Sequence, residues 1–228
     1  MKKKANNCDL KSCFLCQGCL PHWLPAVQAQ RKSLNFKKGE LIFQEGEEVR
    51  GIYFVTSGTV KVHKQWGTEK ELIIRFAQRG DIFGHRGLGH DPHYPISATA
   101  IEPTSACYID LEFFQTTLRV NQELMYGLLL FFADELQESE RKMRNLAHMQ
   151  VKGRVAQALL NLQQKFGRSP EGHIGITLSR QDLASLVGAT YETVFRIINE
   201  LAQEQLILLH GKDITITDAV KLNDYTKE

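Results

Sequence analysis

Four cysteines fall within the first nineteen residues, Cys8, Cys13, Cys16 and Cys19, at C-x4-C-x2-C-x2-C spacing. Thiolates this close in sequence can converge on one soft metal centre, and an ordinary core does not need them there. A fifth cysteine, Cys107, stands alone in a strand-like stretch, where a small apolar residue also serves as core. Near the other end, Glu192 and Arg196 are four residues apart. That spacing suits an ion pair on a helix surface, and it also suits two side chains reading base edges. A third group, His85, His90 and His93 with Asp91, crowds one loop, but its spacing matches no established metal site and none is expected there.

Composition narrows the field. A chain of 228 residues with 43% hydrophobic content can build one large or two modest cores. The net charge is only +2, and residues 151–217 carry seven Lys and Arg against six Asp and Glu. Bulk charge therefore lends nucleic-acid binding almost no support, and a motif must carry it. Met1-Lys-Lys-Lys begins like a signal peptide, but Asn6-Asn7-Cys8-Asp9 stands where an apolar segment should follow. The longest apolar run, Leu124 to Ala133, is about half of the roughly 20 residues a membrane helix needs. No membrane partner and a cytoplasmic location are expected, where clustered cysteines serve as metal ligands or redox sensors rather than disulfides. No nucleophile–base pair, phosphate loop or catalytic metal motif stands out, so an enzyme is not expected.

The elements that must position these groups follow in order. Residues 1–24 form a polar, cysteine-rich arm. From 25 to 117 short β-type runs alternate with glycine turns, which predicts an antiparallel sandwich, barrel or roll. Ile52–Val55 and Thr59–Val62 flank Ser57-Gly58 as a hairpin, and Ser97–Ile101 meets Ala106–Ile109 across Glu102-Pro103. The period then changes to helical. Leu118, Met125, Leu129, Phe132, Leu136, Met143 and Leu146 predict a long helix over 118–148 with a dimerisation seam. Ser139 is the weak point of that seam, and Glu135, Glu138, Glu140, Arg141, Lys142 and Arg144 surround it. Residues 149–228 read as helices and a small hairpin. Ser179 caps a helix with Asp182 at its third position, Gly188-Ala189 ends it, and Thr190 caps the next. Leu206–Leu209, His210-Gly211 and Ile214–Ile216 make the hairpin. The fold class is α+β: an antiparallel β domain, a long dimer helix and a C-terminal winged helix-turn-helix.

Ser179-Arg-Gln-Asp-Leu-Ala-Ser-Leu-Val-Gly188 followed by Thr190-Tyr-Glu-Thr-Val-Phe-Arg196 resembles the DNA-reading segment of the CRP/FNR family of bacterial regulators. The Gly51–Val62 segment, Gly80-Asp-Ile-Phe-Gly84 and Gly153-Arg154 match in order, so the resemblance covers about residues 30–217. It implies a cyclic-nucleotide-binding-like roll, a homodimer reading palindromic double-stranded DNA, and RNA polymerase as a partner. DNA contacts are then expected from Arg180, Tyr191, Glu192, Thr193, Phe195 and Arg196. Arginine grips guanine O6 and N7, and glutamate accepts from cytosine N4. Phe195 stands where FNR-like members carry serine, and its ring can pack on a thymine methyl.

The resemblance also bears on the effector. Cyclic-AMP-binding members hold the phosphate with a glutamate and an Arg-Ser pair. Here the loop reads Gly84-His85-Arg86-Gly87-Leu88-Gly89 and Ile96-Ser97 replaces Arg-Ser, so cyclic AMP is not expected. FNR-type sensors place a [4Fe-4S] cluster, sensitive to oxygen or nitric oxide, between three arm cysteines and one in the roll, and Cys107 matches the distant ligand. The arm departs from their pattern. Its C-x2-C-x2-C run is similar to ferredoxin spacing, which favours Cys13, Cys16, Cys19 and Cys107 with Cys8 as a substitute. Zinc held by all four arm thiolates, or by three with His22, is one rival, and a metal-free thiol switch is another. Two broader alternatives stay open: a small ligand in the roll as the signal, or a metal-binding interaction module that does not read DNA.

Overall fold

The computed structural model describes residues 11–67 and 70–227, so Cys8 lies outside the described residues. The chain divides into one compact unit ending at Glu135 and a second beginning at Leu136.

The first unit opens with two short helices, α1 (Phe14–Gly18) and α2 (Leu24–Gln30). Eight strands follow: β1 (Lys32–Phe36), β2 (Leu41–Phe43), β3 (Gly51–Ser57), β4 (Val60–Trp66), β5 (Lys70–Ala77), β6 (Ile82–Phe83), β7 (Ser97–Ala100) and β8 (Thr104–Asp110). They form two antiparallel sheets, ordered β1-β8-β3-β6 and β2-β7-β4-β5. Two expected hairpins are corrected by this topology. β3 and β4 lie in different sheets, as do β7 and β8, so each tight connection crosses between layers. At Gly58 (φ +81°) any Cβ would fall within 3.0 Å of the Pro103 carbonyl oxygen and of Thr104, because both crossings occur at the same edge.

The strand β3 is buried on both faces. Tyr53 and Val55 point into the roll with Phe43, Val60, Val62, Phe83 and Ala98, while Ile52 and Phe54 point outward to a second core with α1 and two later helices. Cys107 pairs with Phe54 in the β3–β8 register and joins that outer core. A third layer over the first sheet thus explains why β3 lacks a polar face.

The helical segment after β8 breaks at Asn121, giving α3 (Leu111–Val120) and α4 (Gln122–His148). Leu118 therefore belongs to α3, a correction to the single helix expected from 118. Asn121 is buried; its Nδ2 donates to the Thr117 carbonyl (2.7 Å) and its Oδ1 accepts from the Leu20 amide (2.7 Å). Two apolar faces share α4. Leu124, Leu128, Phe131 and Phe132 pack on the outer core, while Met125, Leu129, Leu136, Met143 and Leu146 are exposed. Phe132, expected in the seam, is half-buried against the first unit instead, and Ser139 is half-buried.

The second unit contains α5 (Val151–Phe166), α6 (Arg180–Val187), α7 (Tyr191–Gln203), β9 (Ile207–His210), β10 (Asp213–Ile216) and α8 (Ala219–Asp224). β9 and β10 form the expected hairpin. Gly153 lets α5 approach the chain end closely, since a Cβ there would fall within 3.0 Å of the Tyr225 carbonyl oxygen.

Candidate nucleic-acid interface and thiol centre

Local sequence signals set the α6–α7 geometry. The Ser179 hydroxyl accepts from the Asp182 amide (2.9 Å), and Gly188 closes α6 in the left-handed region (φ +66°). Thr190 then caps α7, its hydroxyl accepting from the Thr193 amide (3.3 Å). Val194, Ile197, Ile198 and Leu201 bury one face of α7 at helical spacing. Tyr191, Glu192, Phe195 and Arg196 are consequently left on the exposed face near its N-terminal end.

The six residues expected to meet DNA divide by environment. Glu192 and Arg196 project outward, and Arg196 pairs with Glu200, one turn further on, rather than with Glu192. The Tyr191 and Phe195 rings stack 6.0 Å apart at 14° and are 42% and 48% exposed, a large apolar area for a surface helix. Thr193 is half-buried, with its hydroxyl 3.0 Å from that of Thr190, and so serves the cap. Arg180 donates to the Lys212 and Gly211 carbonyls (3.2 and 3.1 Å), fastening α6 to the wing turn. A groove of about 390 Å³ runs between that turn and Tyr191, Phe195 and Asn199.

Arg154 was visible in the sequence only as part of a matching dipeptide. Its guanidinium donates to the carbonyls of Met149 (2.8 Å), Val187 (2.9 Å) and Gly188 (3.3 Å), locking α5 to the end of α6. Only its position before an apolar stripe hinted at this, because the acceptors are backbone groups.

In the first unit, Cys13 and Cys19 flank α1 and Cys16 lies within it. These three and Cys107 are buried thiols of one apolar core, with Leu15, Phe54, Phe114 and Leu124 among their neighbours. Burial, with the Cys13 sulfur nearby, pushes the Cys19 thiol up to about 11. The arm is fastened at several points. The Phe14 amide donates to the Gly80 carbonyl (3.0 Å), and Trp23 Nε1 donates to Thr117 (3.2 Å) while its ring stacks on Phe113 (6.2 Å).

Among the described residues, no three or more His, Cys, Asp or Glu side chains converge to hold a single metal ion. The loop histidines go separate ways: His93 pairs with Asp91 (2.7 Å) at the surface, while His85 is buried against Glu135 (3.0 Å).

The roll interior holds stacked aromatic rings, Phe43 on Tyr94 (3.9 Å) and Tyr53 on Phe83 (5.0 Å). Ser97 accepts from the Glu45 amide (2.9 Å), and Arg86 is engaged by Glu135 (3.1 Å).

A two-sheet roll, a long helix with an exposed apolar stripe and a winged helix-turn-helix define a DNA-binding regulator. Residues 33–121 match the cyclic nucleotide-binding domain family, and residues 153–225 match the Crp-like helix-turn-helix domain family. The chain is 35% identical over 185 residues to the cAMP-activated global transcriptional regulator CRP of Escherichia coli O6:H1, covering 78% of this chain and 86% of that protein. It is 27% identical over 225 residues to the transcriptional activator protein Anr of Pseudomonas protegens, covering 95% and 92%. The structure of FixK2 from Bradyrhizobium japonicum superimposes with a TM-score of 0.77 at 25% identity, over 86% of this chain and 96% of that one. The chain belongs to the CRP/FNR family of transcription regulators. The relatives it matches are regulators and not enzymes, and no helix among the described residues is long and apolar enough to cross a membrane.

Proposed function

We propose that this regulator binds palindromic promoter DNA as a cytoplasmic homodimer and that its cysteine arm holds a [4Fe-4S] cluster through Cys13, Cys16, Cys19 and Cys107. The observation that carries the reading is the gathering of these four thiols in one buried core beneath α1, against β8 and the first turns of α4. When bound, the cluster would supply reactivity towards oxygen or nitric oxide. The protein's part is mechanical. Four thiolates on a shared centre tie α1 to β8, and the closed arm supports Leu124 and Leu128 from below. With α4 so supported, Met125, Leu129, Leu136, Met143 and Leu146 present an apolar stripe that a second copy covers. Pairing spaces two α7 helices for half-sites about one turn of DNA apart. Glu192 and Arg196 read base edges, Phe195 packs beside them, and RNA polymerase is the partner recruited at the promoter.

Cyclic AMP does not fit this reading. Ser97 accepts from the Glu45 amide, Arg86 is engaged by Glu135, and Ile96 stands where the phosphate's arginine is expected. Anaerobic purification with a visible spectrum and iron, sulfide and zinc analysis tests the arm. A brown protein with about four irons and four sulfides per chain supports it. A colourless protein holding one zinc makes the arm structural and moves the signal to the roll.

A further inference from the structure

In sequence Glu135 looks like one more surface charge, yet its side chain is only 12% exposed. Two arginines and a histidine of the roll surround it: Arg75 Nε of β5 at 2.8 Å, His85 Nε2 at 3.0 Å and Arg86 Nη2 at 3.1 Å. One turn earlier on the same helix, Phe131 covers the group. The Arg75 guanidinium lies 5.5 Å from its ring centre, and the His85 ring meets it edge-on at 5.1 Å. Phe131 also meets the Phe14 ring, 5.4 Å away, which stands between Cys13 and Cys16. One aromatic side chain therefore touches the cysteine arm and shields the ion cluster. Shielding sets the strength of that cluster, because an ion pair in a dry interior is several-fold stronger than the same pair in water.

We propose that Phe131 and Glu135 form a latch through which seating of the cysteine arm fixes the N-terminal half of α4 against the roll. The proposal rests on the reading of the arm as the sensing element. With the arm seated, Phe14 covers Phe131, the cluster stays dry and the helix is held in place. With the arm displaced, Phe131 loses its outer neighbour, water reaches Arg75 and Glu135, and the helix is released. Glu135 is thus a positioning residue for DNA binding that acts through α4 and touches neither DNA nor thiol.

The test compares Phe14→Ala, Glu135→Gln and the double variant in the full-length protein, purified without oxygen. Dimer dissociation is followed by sedimentation, DNA affinity by fluorescence anisotropy, and metal content by analysis. Each single variant should weaken the dimer and DNA binding about tenfold at unchanged metal content, the size expected for residues coupled through one element. The double variant should be no weaker than the worse single. A double variant weakened by the product of the two effects overturns the latch, and so do two singles of unchanged affinity. A merely structural role would lower the melting temperature of both singles while leaving their affinity effects multiplicative. Should Glu135→Gln fail to fold, with Arg75 left only the Asp81 carboxylate at 4.0 Å, Arg86→Gln at the more exposed partner replaces it under the same criteria. Phe14→Leu, which keeps the apolar contact, should restore wild-type behaviour. If metal analysis finds nothing on the arm, the sensor reading fails by itself, and the latch still stands or falls on the double variant.

Discussion

The seat of the arm on Gly80 can be tested without any metal. Gly80 has φ +93°, and a Cβ there would fall within 3.0 Å of the Ser12 carbonyl oxygen. Gly80→Ala therefore has two costs. Holding an L-residue at positive φ costs about 1–2 kcal/mol. Forcing the arm back strains the Phe14–Gly80 hydrogen bond, worth about 1 kcal/mol, and adds a steric term of similar size. Gly39 separates the two, since it has φ +81° and nothing within 4 Å of its Cβ. Gly39→Ala should carry the backbone cost alone. The difference of about 2 kcal/mol falls on arm opening and corresponds to a roughly 30-fold rise in the open population. The assay is the rate at which a thiol reagent labels Cys13, Cys16 and Cys19 in reduced, metal-free protein, with denaturant midpoints measured in parallel. Labelling about 30-fold faster in Gly80→Ala, with little change in Gly39→Ala, is the expected outcome. Equal rates in both variants would refute the reasoning, because the arm would then not bear on Gly80.

Other perturbations have equally direct consequences. Arg154→Met removes donors to four carbonyls and should destabilise the second unit by about 2–3 kcal/mol, read as a lower urea midpoint without change in slope. Glu192→Ala and Arg196→Ala should each cost about 1–3 kcal/mol in binding a specific site, measured against non-specific DNA at fixed salt. Phe195→Ser should alter the base preferred beside that contact, measured by selection from random DNA. Acid should weaken the first unit through two carboxylates. Burial pushes Glu135 up, but the His85 hydrogen bond and the Arg75 and Arg86 charges outweigh it and hold the group at about 2; Glu71 reaches about 2 in the same way, through His63 and Lys61. Both folded values lie below the ordinary 4.5, so this stabilisation is present above about pH 4.5 and is lost as pH falls towards 2. It amounts to about 3 kcal/mol per group, and urea unfolding between pH 5 and pH 2.5 should show a flatter loss in Glu71→Gln.

Legibility in the sequence followed the range of the interactions. The winged helix-turn-helix was readable because its signals are local: Ser179 and Thr190 cap from adjacent positions, Gly188 supplies the left-handed turn, and Val194, Ile197, Ile198 and Leu201 mark the buried face. The roll was readable as antiparallel strands, but its layering was not. A glycine turn such as Ser57-Gly58 looks the same whether the chain folds back beside itself or crosses to another sheet. The long helix showed an apolar stripe but concealed its second face, because Leu124, Leu128 and Phe131 follow the same spacing as Met125 and Leu129. Arg154 and Glu135 were invisible as structural residues, since their partners are distant carbonyls and cations that no spacing rule connects. Arg180 is expected at DNA from the resemblance, and its hydrogen bonds to the wing turn had no signal in the spacing.

The central claim joins the arm to DNA affinity, and one measurement meets it directly. Equilibrium binding to a palindromic site is determined on anaerobically purified protein and again after air exposure of the same sample, with iron and sulfide assayed at both points. The account predicts iron lost on exposure together with at least a tenfold fall in affinity. The same affinity before and after that loss would contradict it, leaving a DNA reader whose signal lies elsewhere.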